Sequence, residues 1–172
     1  MYCCILLKRK SSFGNKSSVI CNNESLMPKI IPLTPEHLPL IQKIETASHA
    51  FPWSDKVLAS NFGARYFNFL LIKDEQILGY YFASQVAGEA SLLNIAVAPA
   101  HQGKGYGKLL INHLIQQCQQ QDLFQLWLEV RESNHAAYQL YLNIGFNEVD
   151  RRFGYYPAAT GREDAIMMCY IV

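Results

Sequence analysis

The residues best suited to chemistry lie in positions 94–108, NIAVAPAHQGKGYGK, where strand-forming residues meet three glycines and then a helical pattern. Glycines at 103, 105 and 107 let the backbone come close to a ligand. The first turn of the helix that follows offers N–H groups without intrahelical partners, at the positive end of the dipole. Together they form a cradle for an anion, and a phosphate or pyrophosphate is its natural guest. A glycine-rich connection with no ligand is the bland alternative. Two phosphate motifs are excluded outright. A P-loop needs Gly-Lys followed by Ser or Thr, whereas Gly107-Lys108 is followed by Leu109. The fingerprint GxGxxG fails because Gly103 and Gly105 are followed by Gly107 and then Lys108, far from the chain start. What fits is Q-x-x-G-x-G, at Gln102, Gly105 and Gly107.

The elements that must position this turn follow from periodicity and punctuation. Residues 29–33 read as a short strand. Thr34-Pro35-Glu36 supplies an N-cap, a proline at the first helical position and an early acid, and Leu38, Ile41, Ile44 and Ala47 keep helical spacing to about Ser48. Phe51-Pro52-Trp53 breaks the chain, and Ser54-Asp55 opens a second short helix. Two β-rich runs, 66–72 and 77–84, flank Lys73-Asp74-Glu75-Gln76 as a hairpin. Residues 91–97 form a well-buried strand, and the glycine turn leads into a helix with Leu109, Leu110, Leu114 and Ile115 on one face. Residues 123–130 are another strand. Ser133-Asn134 caps a helix that ends at Gly145, a good left-handed terminus, and 146–156 and 163–172 are two closing strands. The order β-α-α-β-β-β-α-β-α-β-β is an α/β domain with a mixed sheet.

The Gln102–Gly107 motif, directly after Ile95-Ala96-Val97, resembles the acetyl-coenzyme A signature of the GCN5-related N-acetyltransferases (GNAT). In that family the turn's amides hold the pyrophosphate and the preceding strand hydrogen-bonds the pantetheine arm. Further stretches occur in order. They are Phe51-Pro52-Trp53-Ser54, Leu93–Val97, Trp127-Leu128-Glu129-Val130-Arg131 with Ser133-Asn134, Leu140-Tyr141 with Gly145-Phe146, and Tyr155-Tyr156-Pro157 with Gly161–Ala165. The series is similar to that of family members that acetylate the N-terminal alanine of ribosomal protein S18. It runs from about Met27 to the C-terminus and leaves residues 1–26 uncovered. The resemblance implies the GNAT fold, a single mixed β-sheet of about seven strands flanked by about four helices. It implies acetyl-CoA as co-substrate. The implied cofactor contacts are Ile95, Ala96, Val97, Gln102, Gly103, Lys104, Gly105, Tyr106, Gly107, Lys108 and Asn134. The implied partner is the N-terminus of ribosomal protein S18, and the implied alternatives are another protein N-terminus, a lysine side chain or a small amine.

Attack of an amine on a thioester sets three tasks: the amine loses a proton, the oxyanion needs donors, and the thiolate takes a proton as it leaves. Glu129 sits near the end of a strand otherwise apolar through Leu126, Trp127, Leu128 and Val130. Such neighbours penalise its charged form, which suits a base. The resemblance assigns it that role; the structural alternative is a strand-end carboxylate paired with Arg131. Tyr141 is the proton donor by resemblance, whereas spacing alone makes Tyr138 equally suitable and either could be core. Asn134 is a plain N-cap on physics alone. The oxyanion donor is expected to be a backbone N–H near Val97. The resemblance places Phe51 and Trp53, and Tyr155 and Tyr156, beside the entering peptide, with rim packing as the plainer reading. For a basic peptide Glu89, Glu132, Glu163 and Asp164 are candidate partners, although surface acids are mostly just solvated. A coenzyme A-binding module without catalysis would show an eroded Glu129 or Tyr141 position, and both are intact. A nucleotide-binding regulator is disfavoured by the failed P-loop.

Composition bounds the rest. At 172 residues and 50% hydrophobic content the chain fits one domain with one core. No apolar run reaches the roughly twenty residues that span a bilayer, so no membrane partner is expected. The formal net charge of +1 disfavours direct nucleic-acid binding. Residues 1–26 hold Lys8, Arg9, Lys10 and Lys16 against Glu24, a net of +3, which leaves −2 for residues 27–172. The first segment has no periodicity and reads as a poorly ordered extension. Met27 reads as the physiological start, with residues 1–26 a tail or start-site artefact and 27–172 the acetyltransferase domain. The five cysteines, Cys3, Cys4, Cys21, Cys118 and Cys169, are odd in number and scattered, which reads as a reduced cytoplasmic chain with no metal site. Cys118 and Cys169 read as buried apolar residues. The histidines His37, His49, His101, His113 and His135 read as surface or polar-face residues.

Overall fold

The computed structural model of the chain describes residues 27–172. The expectations for residues 1–26, including Cys3, Cys4 and Cys21, lie outside the described residues. The first element of the described residues is β1 (Lys29–Pro32). The helix start at Thr34 appears first as a 3-10 turn, Pro35–His37, with Thr34 N donating to His37 Nδ1 at 3.1 Å. That turn feeds α1 (Leu38–Ser48), whose buried face runs through Ile41, Glu45 and Ser48. The apolar pattern had turned the face toward Ala47, which is exposed. Two polar residues take the inner positions because both find buried partners, described below. Ser54 caps α2 (Asp55–Ala59), its Oγ accepting from Val57 N at 3.4 Å.

The first hairpin, β2 (Phe69–Lys73) and β3 (Gln76–Val86), is tighter than the expected four-residue connection. Lys73 pairs with Gln76, and the loop is Asp74-Glu75 with φ of 48° and 62°. Positive φ at both central residues matches the twist of the flanking strands. The strand expected from Tyr66 begins only at Phe69. Tyr66 makes one bridge to Ser84, and the side chain of Asn68 replaces the ladder, accepting from Ala83 N at 3.2 Å and donating to Asn61 O at 2.7 Å. β4 (Glu89–Val97), α3 (Tyr106–Gln120), β5 (Gln125–Arg131), α4 (His135–Ile144), β6 (Asn147–Pro157) and β7 (Arg162–Ile171) complete the order read from the sequence. On α3 Leu109 is exposed and Ile111 buried, so the buried stripe sits one residue further round than expected.

The strands form one seven-stranded sheet in the order β1-β2-β3-β4-β5-β7-β6, and β4–β5 is its parallel pair. Among the described residues the architecture, a mixed sheet with four α-helices, is the fold expected. Helices α1 and α2 cover one face around Leu33, Ile41, Trp53, Leu58, Leu70, Tyr80 and Phe82. Helices α3 and α4 cover the other, over Leu110, Leu114, Leu128, Val130, Tyr141 and Phe146. Gly79 lets the chain close up beneath α3, since a Cβ there would stand 2.6 Å from Ala96 O and 3.2 Å from a Leu110 methyl. Cys118 and Cys169 are buried thiols, as expected, and burial pushes Cys118 up to about 11, away from thiolate chemistry. Among the described residues no helix is long and apolar enough to cross a membrane.

Candidate active site

The site begins where the sheet comes apart. β4 pairs with β5 only at Glu89–Gln125, Ala90–Leu126 and Ser91–Trp127, although β4 continues to Val97 against β3 and β5 continues to Arg131 against β7. An extra residue, Leu93, sits in β4 between the pairs Ala83–Leu92 and Phe82–Asn94. Such a bulge bends the strand and helps it turn away. Ala98 N donates to Leu78 O at 2.8 Å, and backbone groups alternate between the two edges of a strand. The N–H groups of Ile95 and Val97 therefore point to the other edge, into the opening. Val97 O also points there and is held by Gln102 Nε2 at 2.9 Å and Ser48 Oγ at 3.3 Å. Gln102 thus ties the glycine turn to the strand end rather than reaching outward.

The turn itself is shaped for close approach. Gly103 and Gly105 have φ of 76° and 83°, and a Cβ at either would meet no atom within 4 Å. Gly105 is the residue before α3, and the first helical bond at this end is Leu109 N to Gly105 O at 3.1 Å. The amides ahead of Leu109 are those a helix leaves unpaired. A cavity of about 210 Å³ opens over them, lined by Val97, Gln102, Gly103, Gly105, Tyr106, Gly107, Lys108 and Leu140. Lys108 is exposed at its edge, and Lys104 Nζ donates to Ala100 O at 3.1 Å. The sequence motif and the cavity are therefore the same feature, joined by the strand end and by α4. Ile95, Ala96 and Val97 are all buried.

Leu126, Leu128 and Val130 of β5 belong to the α3–α4 core, so alternation turns Trp127, Glu129 and Arg131 to the α1 face. Glu129 is 2% exposed; its Oε1 lies 3.1 Å from Arg152 Nη1, and its Oε2 has no hydrogen-bond partner among the described residues. The pairing of Glu129 with Arg131 is not formed. Arg131 instead binds Glu163 Oε1 at 2.6 Å and Pro157 O at 2.9 Å, with its guanidinium 5.0 Å from the Phe51 ring and 4.3 Å from that of Tyr156. Cross-strand neighbours on β7 and β6 outcompete the residue two positions along the strand. Arg131 thereby joins the loop of Phe51 to the β6–β7 hairpin. Phe51 is 41% exposed, whereas Trp53 is buried against Phe82 with ring centres 6.0 Å apart. Tyr156 is buried and Tyr155 half-buried, their rings in edge contact at 5.0 Å.

On α4, Asn134 caps the helix, its Oδ1 accepting from Ala137 N at 3.2 Å. Tyr141 is buried beside Phe146, with ring centres 5.5 Å apart. Tyr138 turns outward, where its hydroxyl donates to Glu148 Oε2 at 3.0 Å. Of the acids considered for a basic peptide, Glu163 is bound to Arg131 and Glu132 to Arg151. Asp164 Oδ1 accepts from Gly154 N at 2.8 Å, and Glu89 lies at the opposite end of β4 from the opening.

Sequence reasoning missed a second polar centre beneath β4. Glu45 is 1% exposed and accepts from Trp53 N at 2.7 Å, from Asn94 Nδ2 at 3.2 and 3.1 Å, and from the Tyr80 hydroxyl. His49 Nε2 stands 3.1 Å from its Oε2. Burial opposes ionisation of Glu45, but the hydrogen bond and charge of His49, with Trp53 N and Tyr80, hold its carboxyl below the usual value. His49 is thus buried, not a surface residue, because Glu45 one helical turn earlier pairs with it. His113 is likewise half-buried, with Nδ1 3.0 Å from the Tyr81 hydroxyl. The available signal was the spacing of 45 and 49 behind Ile41, which puts an acid and a histidine on one inward stripe.

Residues 38–146 match the model of the acetyltransferase (GNAT) family. The chain is 46% identical over 142 residues to the ribosomal protein bS18-alanine N-acetyltransferase (RimI) of Escherichia coli K12, covering 83% of this chain and 96% of that protein. It is 49% identical over 133 residues to the enzyme of the same name from Haemophilus influenzae, covering 76% and 90%. Among solved structures, the ribosomal-protein-S18-alanine N-acetyltransferase from Escherichia coli matches with a TM-score of 0.83 at 45% identity, over 85% of this chain and 94% of that one.

Proposed function

Because the chain belongs to the acetyltransferase (GNAT) family, we propose that it acetylates the N-terminal alanine of ribosomal protein S18 with acetyl-CoA as donor. Its relatives at 46% and 49% identity are named for that substrate. The observation that carries the reading is the opening between β4 and β5, flanked by an anion cradle and by a buried carboxylate with one uncommitted oxygen. These residues fit an acyl-CoA. The cradle offers unpaired amides and open space at Gly103 and Gly105, with Lys104 and Lys108 adding positive charge for a pyrophosphate. The inward N–H group of Ile95 suits the amide-bearing arm that would lie between the strands.

A free α-amino group titrates near ~7.7–8.0 against ~10.4 for lysine, so part of it is neutral at pH 7 and needs only a modest base. The amine nitrogen bonds to the thioester carbonyl carbon, and Glu129 Oε2 accepts the proton that the nitrogen gives up. The carbonyl oxygen takes up charge and accepts from Val97 N–H. As the carbon–sulfur bond breaks, the Tyr141 hydroxyl gives its proton to sulfur; once the products have left, Glu129 releases its proton and Tyr141 recovers one. The commitment of Tyr138 to Glu148 supports Tyr141 in that role. Asn134 would contact coenzyme A from the start of α4. Phe51 and the Tyr155 hairpin, bridged by Arg131, would flank the peptide, with Trp53 and Tyr156 as the buried roots of that rim. A ribosomal substrate goes with a cytoplasmic location.

The test is acetyl transfer by the purified chain to a peptide carrying the N-terminal sequence of S18, beside a polyamine and free lysine, with the acetyl position read by mass spectrometry. Acetylation of the peptide's α-amine supports the reading. Turnover of the polyamine or lysine with none on the peptide overturns the substrate.

A further inference from the structure

Arg152 is the charged group at the opening to which the reaction scheme gives no task. β6 is the sheet's outer edge, and its two consecutive arginines turn to opposite faces. Arg151, opposite Ile166, goes to the α4 face, where Nε meets Glu148 and Nη1 meets Glu132, each at 2.7 Å. Arg152, opposite Ala165, goes to the α1 face and reaches Glu129 Oε1 at 3.1 Å. The carboxylate side chain is 3% exposed and the guanidinium side chain 47%, so the pair joins a buried anion to a cation at the rim. A buried carboxylate needs a partner, and the guanidinium supplies one here. The arginine takes one oxygen only and leaves Oε2 unpartnered. Its guanidinium also stands 5.2 Å from the Tyr155 ring centre. The bulge that follows it is pinned by Gly154 N donating to Asp164 Oδ1 at 2.8 Å.

Resting on the reading of Glu129 as the base, we propose that Arg152 is a positioning residue for acetyl transfer: it grips Glu129 by one oxygen and leaves the other oxygen turned to the incoming amine. Among the described residues, the other charged groups on that face are otherwise engaged. On β5, Arg131 is bound to Glu163 of β7 at 2.6 Å. On β6, Asp150 lies opposite Met167 on the same face, exposed, with Oδ1 accepting from Arg151 N at 2.7 Å. On α1, Glu45 and His49 form their own pair at 3.1 Å.

The experiment is kcat and KM for the S18 peptide and for acetyl-CoA, in the full chain and its Arg152→Gln, Arg152→Lys and Glu129→Gln variants, with thermal unfolding recorded for each. In Arg152→Gln kcat falls about tenfold or more, while KM for acetyl-CoA stays the same and the unfolding midpoint moves little. Arg152→Lys, which keeps a cation beside Glu129, restores most of the rate. A wild-type kcat in Arg152→Gln, with Glu129→Gln inactive, overturns the role of Arg152 and leaves the base standing. A Glu129→Gln enzyme with wild-type rate overturns the base, and this inference with it.

Discussion

Replacing Glu45 by glutamine probes the buried centre that holds α1, the Phe51–Trp53 loop and β4 together. The carboxylate's Oε1 takes Trp53 N at 2.7 Å and Asn94 Nδ2 at 3.2 Å, while Oε2 takes Asn94 Nδ2 at 3.1 Å, the Tyr80 hydroxyl and His49 Nε2 at 3.1 Å. Glutamine keeps one acceptor and puts an NH2 in place of the other. One or two buried donors then face a donor, at about 1–3 kcal/mol each, for a loss of roughly 2–4 kcal/mol. At about 2–4 °C per kcal/mol for a chain of this size, the midpoint falls by roughly 5–15 °C. Thermal unfolding at pH 7, followed by circular dichroism, measures it. The pH dependence has a definite sign. The folded-state carboxyl titrates below its ordinary value of 4.5, so its contribution is present above that pH and is lost as pH falls through the folded value. The gap between the two proteins therefore narrows in acid. A midpoint lowered by less than about 2 °C at pH 7, or a gap that widens in acid, rules out this role for the Glu45 carboxylate.

Two further outcomes are expected. Gly105→Ala puts a side chain on a residue at φ 83°, at a cost of about 1–2 kcal/mol of strain, and into the space over the unpaired amides. Acetyl-CoA binding measured by calorimetry should weaken about tenfold or more, and unchanged affinity would count against the cradle. Tyr141→Phe removes the proposed proton donor and keeps the ring beside Phe146, so kcat for the S18 peptide should fall about tenfold or more with little change in KM; equal kcat would remove Tyr141 from the scheme.

Local signals carried far into the fold. The Ser54 and Asn134 caps, the Gly145 terminus and the strand–turn–helix around Gly105 formed as read, because each depends on residues within one turn of itself. What stayed hidden was set by distant partners. No local pattern says that β4 and β5 pair over three residues and then part, since that depends on how β3 and β7 hold each strand. The face of α1 was misjudged because Glu45 and Ser48 count as outward residues until Asn94, Tyr80 and Val97 O are there to meet them. Arg131 was considered for Glu129 from proximity along the strand, yet Glu163 and Arg152, brought in by β7 and β6, took the two apart. The motif was legible in the sequence, but the ion pairs that arm the site required the sheet order.

The proposed base is Glu129, a buried carboxylate beside the opened strands, which takes the proton from an α-amine attacking the thioester. Single-turnover acetylation of the S18 peptide by enzyme preloaded with acetyl-CoA, compared between the native chain and Glu129→Gln, tests it most directly. Glu129→Gln should be slower by about tenfold or more, on the order of 1.4 kcal/mol of barrier, with acetyl-CoA affinity retained. Equal single-turnover rates at neutral pH would contradict it.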